Sequence, residues 1–389
     1  RIKLGKKMSF FYDFSIYQLI AFIIFMMIVF LLPIKNNHVN AVVGNILWLE
    51  GLRGVACIMV FFNHFAYYLP TIGISNQNIP YKIMPIYDNF GSLGVEIFFA
   101  ITGFLFLSRI KKVKGADDFM MKRIKRLAPA FLFFALINMA VFIIFMSDGA
   151  SLDDYRKALI QLLSFGFLGG GIFFKDSWIH SIGVVSWTLP YEWIFYISIV
   201  AISLFYKNER YISITLFIIG IYTIEKSNLN TNMFLFFISG AVGKIVYDNS
   251  LNHDKKYWKL IISITAILTL LTCLYQKDDG YGIYRFILVT ILFSSICYIK
   301  PKFLQSSNIV LIGMISYSIY LSHQAIIYLS LYVFKIIGVN LYEIGILSYF
   351  IMSIITFMIT VIISLITYKN IELRFNSKVN SSLQVSHTK

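Results

Sequence analysis

The sequence predicts an all-α protein, a polytopic membrane helix bundle with about ten core transmembrane helices and one further N-terminal helix. Two observations carry this prediction. Hydrophobic residues make up 58% of the chain and charged residues only 14%, whereas about a quarter of the residues in a soluble domain are charged. Apolar runs close to the length that crosses a bilayer also recur along the whole chain.

These runs define the predicted spans. They lie near residues 14–34, 54–70, 93–108, 129–146, 190–206, 211–224, 233–249, 259–275, 286–299, 316–334 and 344–368. A further apolar stretch, 158–174, contains four glycines, and we expect it to form a re-entrant or interfacial segment. The chain then divides into an N-terminal tail with its extra helix (1–48), a membrane domain (49–372) and a cytoplasmic polar tail (373–389).

The basic residues predict the orientation of the spans, because loops rich in Lys and Arg stay in the cytoplasm. If span 54–70 runs from inside to outside, the inner loops and tail hold twenty Lys and Arg and the outer loops hold eight. Four bases before the first span conflict with this orientation, and a natural start at Met8 would remove the conflict. A cleaved signal peptide over 14–34 is the weaker alternative, since no small-residue cleavage site follows it.

The formal net charge of +15 is therefore attributed to membrane orientation and contacts with membrane lipid, and no nucleic-acid partner is expected. The three cysteines, Cys57, Cys273 and Cys297, fall in apolar stretches without metal-ligand spacing, so we expect packing roles and no metal site. Walker, nucleophile-elbow and dinucleotide-binding motifs are missing from the sequence, which argues against a soluble type of nucleotide enzyme.

Two ionisable residues mark the segment 49–64. Arg53 and His64 are eleven residues apart, so in a helix they share one face and are separated by about 16 Å along the axis. Ionisable residues inside a span are costly and indicate a functional site. The alternative is a snorkelling arginine and a histidine bonded to a backbone carbonyl.

The segment 91–107 places a carboxylate, Glu96, within a span, and a buried carboxylate should face polar partners and not lipid. Gly94 and Gly103 should allow close helix packing. Farther along, Arg123 and Arg126 are three residues apart and share a helix face, where they can bind a phosphate or pyrophosphate. Ordinary positive-inside charge is the alternative explanation for these two arginines.

Two more segments carry polar side chains into apolar surroundings. In 186–196, Glu192 and Tyr196 form an i,i+4 pair, and Pro190 suits a helix start. In 315–324, the helical spacing of Ser316, Tyr320 and His323 gives one polar stripe. Such stripes face other helices or a cavity, and a structural hydrogen-bond network is the alternative role.

Taken together and in this order, these segments resemble the acyltransferase-3 family of integral membrane acyltransferases, which O-acetylate bacterial surface polysaccharides and other acceptors. The matching motifs are Leu-Glu-Gly-Leu-Arg with Arg-x10-His, Gly-Val-Glu-Ile-Phe-Phe-Ala-Ile-Thr-Gly-Phe, Arg-x-x-Arg before a proline, Ser-Trp-Thr-Leu-Pro-Tyr-Glu-Trp-Ile-Phe-Tyr, and Ser-Tyr-Ser-Ile-Tyr-Leu-Ser-His. The resemblance covers about residues 49–372. Thr102 replaces the serine usual in the family, and the N-terminal helix precedes the ten-helix core.

The resemblance implies an acyl-CoA donor, usually acetyl-CoA, used from the cytoplasmic side of the bacterial inner membrane. The implied acceptor is a sugar hydroxyl of a polysaccharide or lipid-linked oligosaccharide, with O-antigen lipopolysaccharide as the first hypothesis. His64 is the expected general base, because a neutral imidazole accepts a proton near pH 7. Arg53 would hold the donor or polarise its carbonyl, and Arg123 and Arg126 would bind the CoA phosphates.

Glu192 and His323 are the second-rank catalytic candidates, for the acceptor side or for orienting His64. Transfer through an acyl-histidine and direct transfer both stay open at this point. Two other functions are also compatible with the sequence: a transporter or flippase for lipid-linked sugars, and a structural subunit of a polysaccharide assembly complex.

Overall fold

The computed structural model describes residues 22–27, 29, 46–73, 85–106, 115–250, 256–276, 281–339 and 346–375. The described chain is a bundle of α-helices with a single two-stranded hairpin, which confirms the predicted fold class. Within these described ranges, six helical segments are long and apolar enough to cross a membrane: Asn89–Phe106, Ala116–Phe145, Val184–Tyr206, Lys256–Tyr275, Ser316–Ile336 and Leu347–Phe375.

The helices are numbered here in chain order. Their bounds are α1 Leu47–Gly73, α2 Pro85–Phe106, α3 Ala116–Phe145, α4 Leu152–Leu163, α5 Leu189–Tyr206, α6 Arg210–Lys226, α7 Leu235–Ser250, α8 Lys256–Tyr275, α9 Ile283–Ile299, α10 Ser307–Met314, α11 Ser316–Ile336 and α12 Ile346–Thr367. A π-helical turn, Tyr368–Glu372, and a short helix, Leu373–Phe375, continue α12. Each predicted span from 54–70 onward therefore overlaps one helix.

Helix α1 lies at the centre of the bundle, where it packs against α2, α10 and α11. Small residues make this close packing possible, because a side chain at Gly51 would collide with the Leu304 backbone and one at Gly54 with the Ile309 backbone of α10. The predicted close approach at Gly94 and Gly103 is confirmed. A Cβ atom on Gly103 would lie 1.9 Å from the Phe237 carbonyl oxygen of α7, and one on Gly94 would lie 2.7 Å from Val60.

A buried ion pair joins α2 to α9. The Arg285 Nε atom donates to both carboxylate oxygens of Glu96 at 2.9 Å, and Arg285 Nη1 donates to Asn89 Oδ1 and to the Cys273 carbonyl oxygen. The prediction that Glu96 faces polar partners is confirmed. Arg285 was one of the eight bases assigned to the outer loops from the sequence. That assignment was wrong, because this side chain is 1% exposed inside the bundle.

The Glu96–Arg285 pair gives a stability prediction. Glu96→Ala leaves the Arg285 charge buried without its carboxylate, which typically costs about 3 to 5 kcal/mol, so we expect a clearly lower unfolding temperature of the purified protein. The double variant Glu96→Leu/Arg285→Met should recover much of the loss, because it removes both charges. A single variant no less stable than Glu209→Ala, a change at an exposed carboxylate, would contradict the structural role of this pair.

The connection from α3 to α5 contains irregular structure. Helix α4 starts with a capping box between Ser151 and Asp154. A glycine-containing loop follows, and then an antiparallel hairpin of β1, Ile172–Phe174, and β2, Ser177–Ile179. A 3-10 turn, Val184–Thr188, leads directly into α5, and Pro190 stands in the first turn of α5 as predicted.

This connection lies along α3. The Phe174 ring is 5.3 Å from the Phe142 ring, and the Phe165 ring stacks on Phe131 at 4.0 Å. Phe131 and Phe142 are eleven residues apart on α3, a distance of about 16 Å along the helix. Residues 164–188 are therefore packed against a membrane-spanning helix over three turns. Irregular backbone at this depth is tolerated only where protein shields it from lipid.

Part of the predicted first span, 14–34, is described. Residues 22–27 are helical, and the Phe25 ring contacts Phe62 of α1 and Phe357 of α12 at centroid distances of 5.2 and 4.9 Å. Apart from residue 29, the rest of that span lies outside the described residues, as do the start at Met8 and most of the polar tail after 373. The three cysteines are buried and free, in agreement with packing roles.

Candidate active site

A cavity lies between α1, α2, α3, α5 and α11, with about 760 Å³ of non-atom space that includes open solvent at its mouth. The charged lining residues are Arg53, Arg126 and Glu192; the hydroxyl-bearing ones are Thr102, Thr188, Tyr196, Ser316, Tyr317 and Tyr320; the apolar ones are Val95, Phe98, Phe99, Leu105, Phe106, Leu127 and Leu189. Along α2 the lining runs from Val95 to Phe106, which are eleven residues apart, or about 16 Å along the helix.

Arg126 contributes an available cation to this cavity. Its guanidinium group interacts electrostatically with three carboxylates, those of Glu50, Glu192 and Glu372. Among the described residues, none accepts a hydrogen bond from its guanidinium group. Nearby carboxylates offset the charge of this guanidinium without hydrogen-bonding to it. Such a group at a cavity wall is suited to bind a phosphate or carboxylate ligand.

Arg53 lies on the same cavity wall but is already paired. Its Nη1 atom donates to Glu50 Oε2 at 2.7 Å, one turn earlier on α1. The pair holds the guanidinium at a defined position, and Arg53 is one of the residues that line the cavity. The geometry therefore brings the predicted donor-binding residues Arg53 and Arg126 to one site.

Arg123 has a different environment from Arg126. Its guanidinium carbon lies 4.8 Å from the centre of the Phe106 ring, 5.8 Å from Phe119 and 6.0 Å from Tyr196. Phe106 and Tyr196 line the cavity, so Arg123 lies behind this wall as a stacked cation. The positive charge of Arg123 still reaches Arg126 and Glu192 electrostatically.

Glu192 stands among the arginines. It lies in the first turn of α5 and lines the cavity, and its charge acts on Arg126, Arg53 and Arg123. The Tyr196 hydroxyl is 3.5 Å from Glu192 Oε2, the limit of a hydrogen bond. The structure therefore places Glu192 beside the cations of the cavity.

The second histidine candidate, His323, contacts His64. Its Nε2 atom lies 3.1 Å from His64 Nδ1, which joins α11 to α1 in the middle of the bundle. His323 Nδ1 is 3.0 Å from the Ile319 carbonyl oxygen, and His64 Nδ1 is 3.0 Å from the Val60 carbonyl oxygen. Sequence reasoning had named both histidines as candidates, and the fold brings them into direct contact.

The tautomers of the pair follow from these partners. A carbonyl oxygen only accepts, so the Nδ1 atom of each neutral ring carries the proton. His323 Nε2 then has a lone pair that accepts from His64 Nδ1–H. The same assignment makes Nε2 the basic nitrogen of His64, in the ring orientation that His323 and Val60 define.

Tyr320 separates the cavity from the histidine pair. It is the last cavity residue on α11, one turn before His323, and the two ring centres are 6.0 Å apart. The Tyr320 hydroxyl donates to the Val185 carbonyl oxygen at 3.0 Å and lies 2.9 Å from Thr188 Oγ1. Arg53 and His64 are therefore on one helix as predicted. Only Arg53 lines the cavity, and His64 lies beyond the end of the cavity that Tyr320 forms.

Two polar residues of this region were missed by the sequence reasoning. Glu372 is in the π-helical turn after α12, where it accepts a hydrogen bond from Ser318 and balances the charge of Arg126. Its only sequence signal is a carboxylate directly after an apolar run. Ser318 lies in the same polar segment of α11, but on a different face from the stripe that contains His323. A single sequence gives no sign that this second face meets the end of α12.

The fold and this site define a multi-pass membrane protein with a charged internal cavity. An acyltransferase domain model matches residues 46–369. YrhL of Bacillus subtilis (strain 168), which is named for a peptidoglycan O-acetyltransferase activity, is 30% identical over 174 residues, 42% of this chain and 24% of that protein. An O-acetyl transferase of Shigella phage Sf6 is 25% identical over 264 residues, 63% of this chain and 75% of that protein. No solved structure matches the chain.

The chain belongs to the acyltransferase-3 family, as its motifs predicted. The matched model is that of an acyltransferase domain, and both relatives carry names of O-acetyltransferases. The chain spans about a quarter of the length of YrhL and three quarters of the phage protein.

Proposed function

We propose that this protein transfers an acetyl group from acetyl-CoA to a hydroxyl group of a cell-surface polysaccharide, in the inner membrane of a bacterium. The observation that supports this most is the arrangement of the cavity. Arg126 lines it, and no described residue accepts a hydrogen bond from the Arg126 guanidinium group. The histidine pair lies just past the end of the cavity that Tyr320 forms.

The donor would bind with its phosphates at Arg126 and Arg53. Charge-assisted hydrogen bonds from guanidinium groups are the usual means of holding phosphates, and Arg123 adds positive charge behind the wall. Glu192 and Glu372 would keep the arginines in place while no donor is bound. The apolar residues of the cavity suit the uncharged arm that carries the thioester.

His64 would act as the general base. Its Nε2 atom removes the proton from the acceptor hydroxyl, and the hydroxyl oxygen attacks the carbonyl carbon of the thioester. The carbon–sulfur bond breaks, and the CoA thiolate takes the proton from the His64 imidazolium. His323 stabilises that imidazolium through the lone pair of its Nε2 atom.

The same nitrogen of His64 can act as a nucleophile and carry the acetyl group for a time. The two routes differ in what acetyl-CoA does without acceptor. Only the acyl-histidine route adds an acetyl mass to the peptide that contains His64, so mass spectrometry of the protein incubated with donor alone distinguishes them.

The positive-inside rule supports the sidedness of the reaction. It predicts that Arg53 and the start of α3 face the cytoplasm, where acyl-CoA donors are present. His64 lies about 16 Å farther along α1, toward the predicted outer side. Donor and acceptor would then reach the histidine pair from opposite sides.

For the acceptor we propose O-antigen, with peptidoglycan as the second candidate. The name of the Bacillus relative favours peptidoglycan as the acceptor. Both glycans offer sugar hydroxyls as acceptors.

The test is to compare the surface glycans of a host with and without the gene. We expect acetyl signals in the proton NMR spectrum of the polysaccharide only when the protein is present. Purified peptidoglycan from the same cells serves as the parallel sample and identifies the acceptor. Unchanged acetyl content in both glycans would contradict the proposal and favour a transporter or a structural subunit.

A further inference from the structure

We propose that Phe98 and Tyr320 form a constriction that limits the transferred group to a short acyl chain. This inference rests on the proposed function, since it concerns the path from the donor cavity to the histidine pair. It names the chemical class of the donor: an acetyl thioester, with longer acyl thioesters excluded by size.

The constriction lies at the end of the cavity nearest the histidine pair. The lining on α11 ends at Tyr320, and the lining on α2 ends at Phe98 and Val95. The rings of Phe98 and Tyr320 face each other edge to face with their centres 6.0 Å apart. An acyl group that reaches His323 and His64 from the arginine side must pass these two rings.

Tyr320 is held in position from the other side. Its hydroxyl donates to the Val185 carbonyl oxygen and contacts Thr188 Oγ1. These two partners belong to the 3-10 turn before α5, which Gln324 of α11 also binds through the Val185 amide. Because the ring is fixed at its hydroxyl end, it cannot rotate away freely to admit a longer chain.

Phe98 is the residue that sets the remaining space. It is half-buried, and a second cavity residue one turn later, Thr102, donates to its carbonyl oxygen at 3.0 Å. A well-packed pocket commonly discriminates one methylene group by about 10- to 200-fold. Removing the phenyl ring leaves room for several methylene groups.

The experiment measures kcat/KM for acetyl-CoA and butyryl-CoA with purified protein and acceptor glycan. We expect the butyryl-to-acetyl ratio to rise at least tenfold in Phe98→Ala and to rise less in Phe98→Leu. Tyr320→Phe keeps the ring but loses both hydroxyl contacts, so a smaller rise is expected. Phe205→Ala changes a ring that is 51% exposed at the end of α5, and its ratio should equal that of the wild type.

The outcomes separate the two proposals. An unchanged ratio in Phe98→Ala or Phe98→Leu, with acetyl transfer retained, overturns the constriction and leaves the proposed function standing. Wild-type protein that transfers acetyl and butyryl groups equally well overturns it too. Wild-type protein that transfers neither group overturns the proposed function, and the constriction with it. If Phe98→Ala does not fold, Phe98→Leu decides alone.

Discussion

His64→Ala is expected to lower acetyl transfer by about 10² to 10⁴-fold, the usual contribution of a general base, while the amount of protein in the membrane stays normal. The reason is that Nε2 of His64 is the basic atom of the histidine pair. The measurement is acetyl transfer from labelled acetyl-CoA by purified protein, together with its donor affinity, which should change little.

Two variants accompany this measurement. His323→Ala should lower transfer less than His64→Ala, because it removes the partner of the base and not the base. His180→Ala replaces an exposed histidine after β2 and should leave transfer unchanged. Normal acetyl transfer in His64→Ala at normal abundance would show that the catalytic assignment is wrong.

Arg126→Gln is expected to raise the KM for acetyl-CoA by about 10- to 100-fold, which corresponds to the loss of one or two charge-assisted hydrogen bonds. The value of kcat should change much less, because the phosphate contacts are the same in the ground state and the transition state. Steady-state kinetics with varied acetyl-CoA tests this prediction.

The neighbouring Lys125 supplies the matched control. It is exposed on the same turn of α3, so Lys125→Gln removes an equal charge outside the cavity and should leave KM near the wild-type value. Equal effects of the two variants would mean that general surface charge, and not the cavity arginine, attracts the donor.

The helical bundle could be predicted because membrane spans are local features of the sequence. Each apolar run has to satisfy its own backbone within the bilayer, and a helix is the way to do so. The ends of the helices were less certain. Helix α3 begins at Ala116 and includes Pro129, although the apolar run begins only at 129, because its first turns are polar and precede the membrane-spanning part.

The candidate site could be predicted only residue by residue. His64 and His323 each stood out as ionisable groups in apolar runs, but their contact joins positions 259 residues apart, and one sequence carries no sign of that pairing. Glu192 stood out in the sequence as half of an i,i+4 pair with Tyr196. Its position beside the arginines depends on the irregular chain before α5, which lies against α3 and α11 in a way that periodicity does not describe.

The buried pair Glu96–Arg285 shows the same limit from another side. Glu96 was expected to have a polar partner, but Arg285 stands at the start of an apolar run, where loop and buried arginines look alike in sequence. Only the packing of α9 against α2 and α8 brings the charges together.

The central claim is that the cavity between Arg126 and Tyr320 holds the acyl donor, and alkylation of a cysteine placed at Thr102 tests it most directly. The native cysteines are buried, and Thr102 lines the cavity, so a maleimide should label Thr102→Cys selectively. We predict that acetyl-CoA slows this labelling strongly but leaves the labelling of Glu209→Cys, at an exposed loop position, unchanged. Labelling of Thr102→Cys at the same rate with and without saturating acetyl-CoA, in active protein, would contradict the claim.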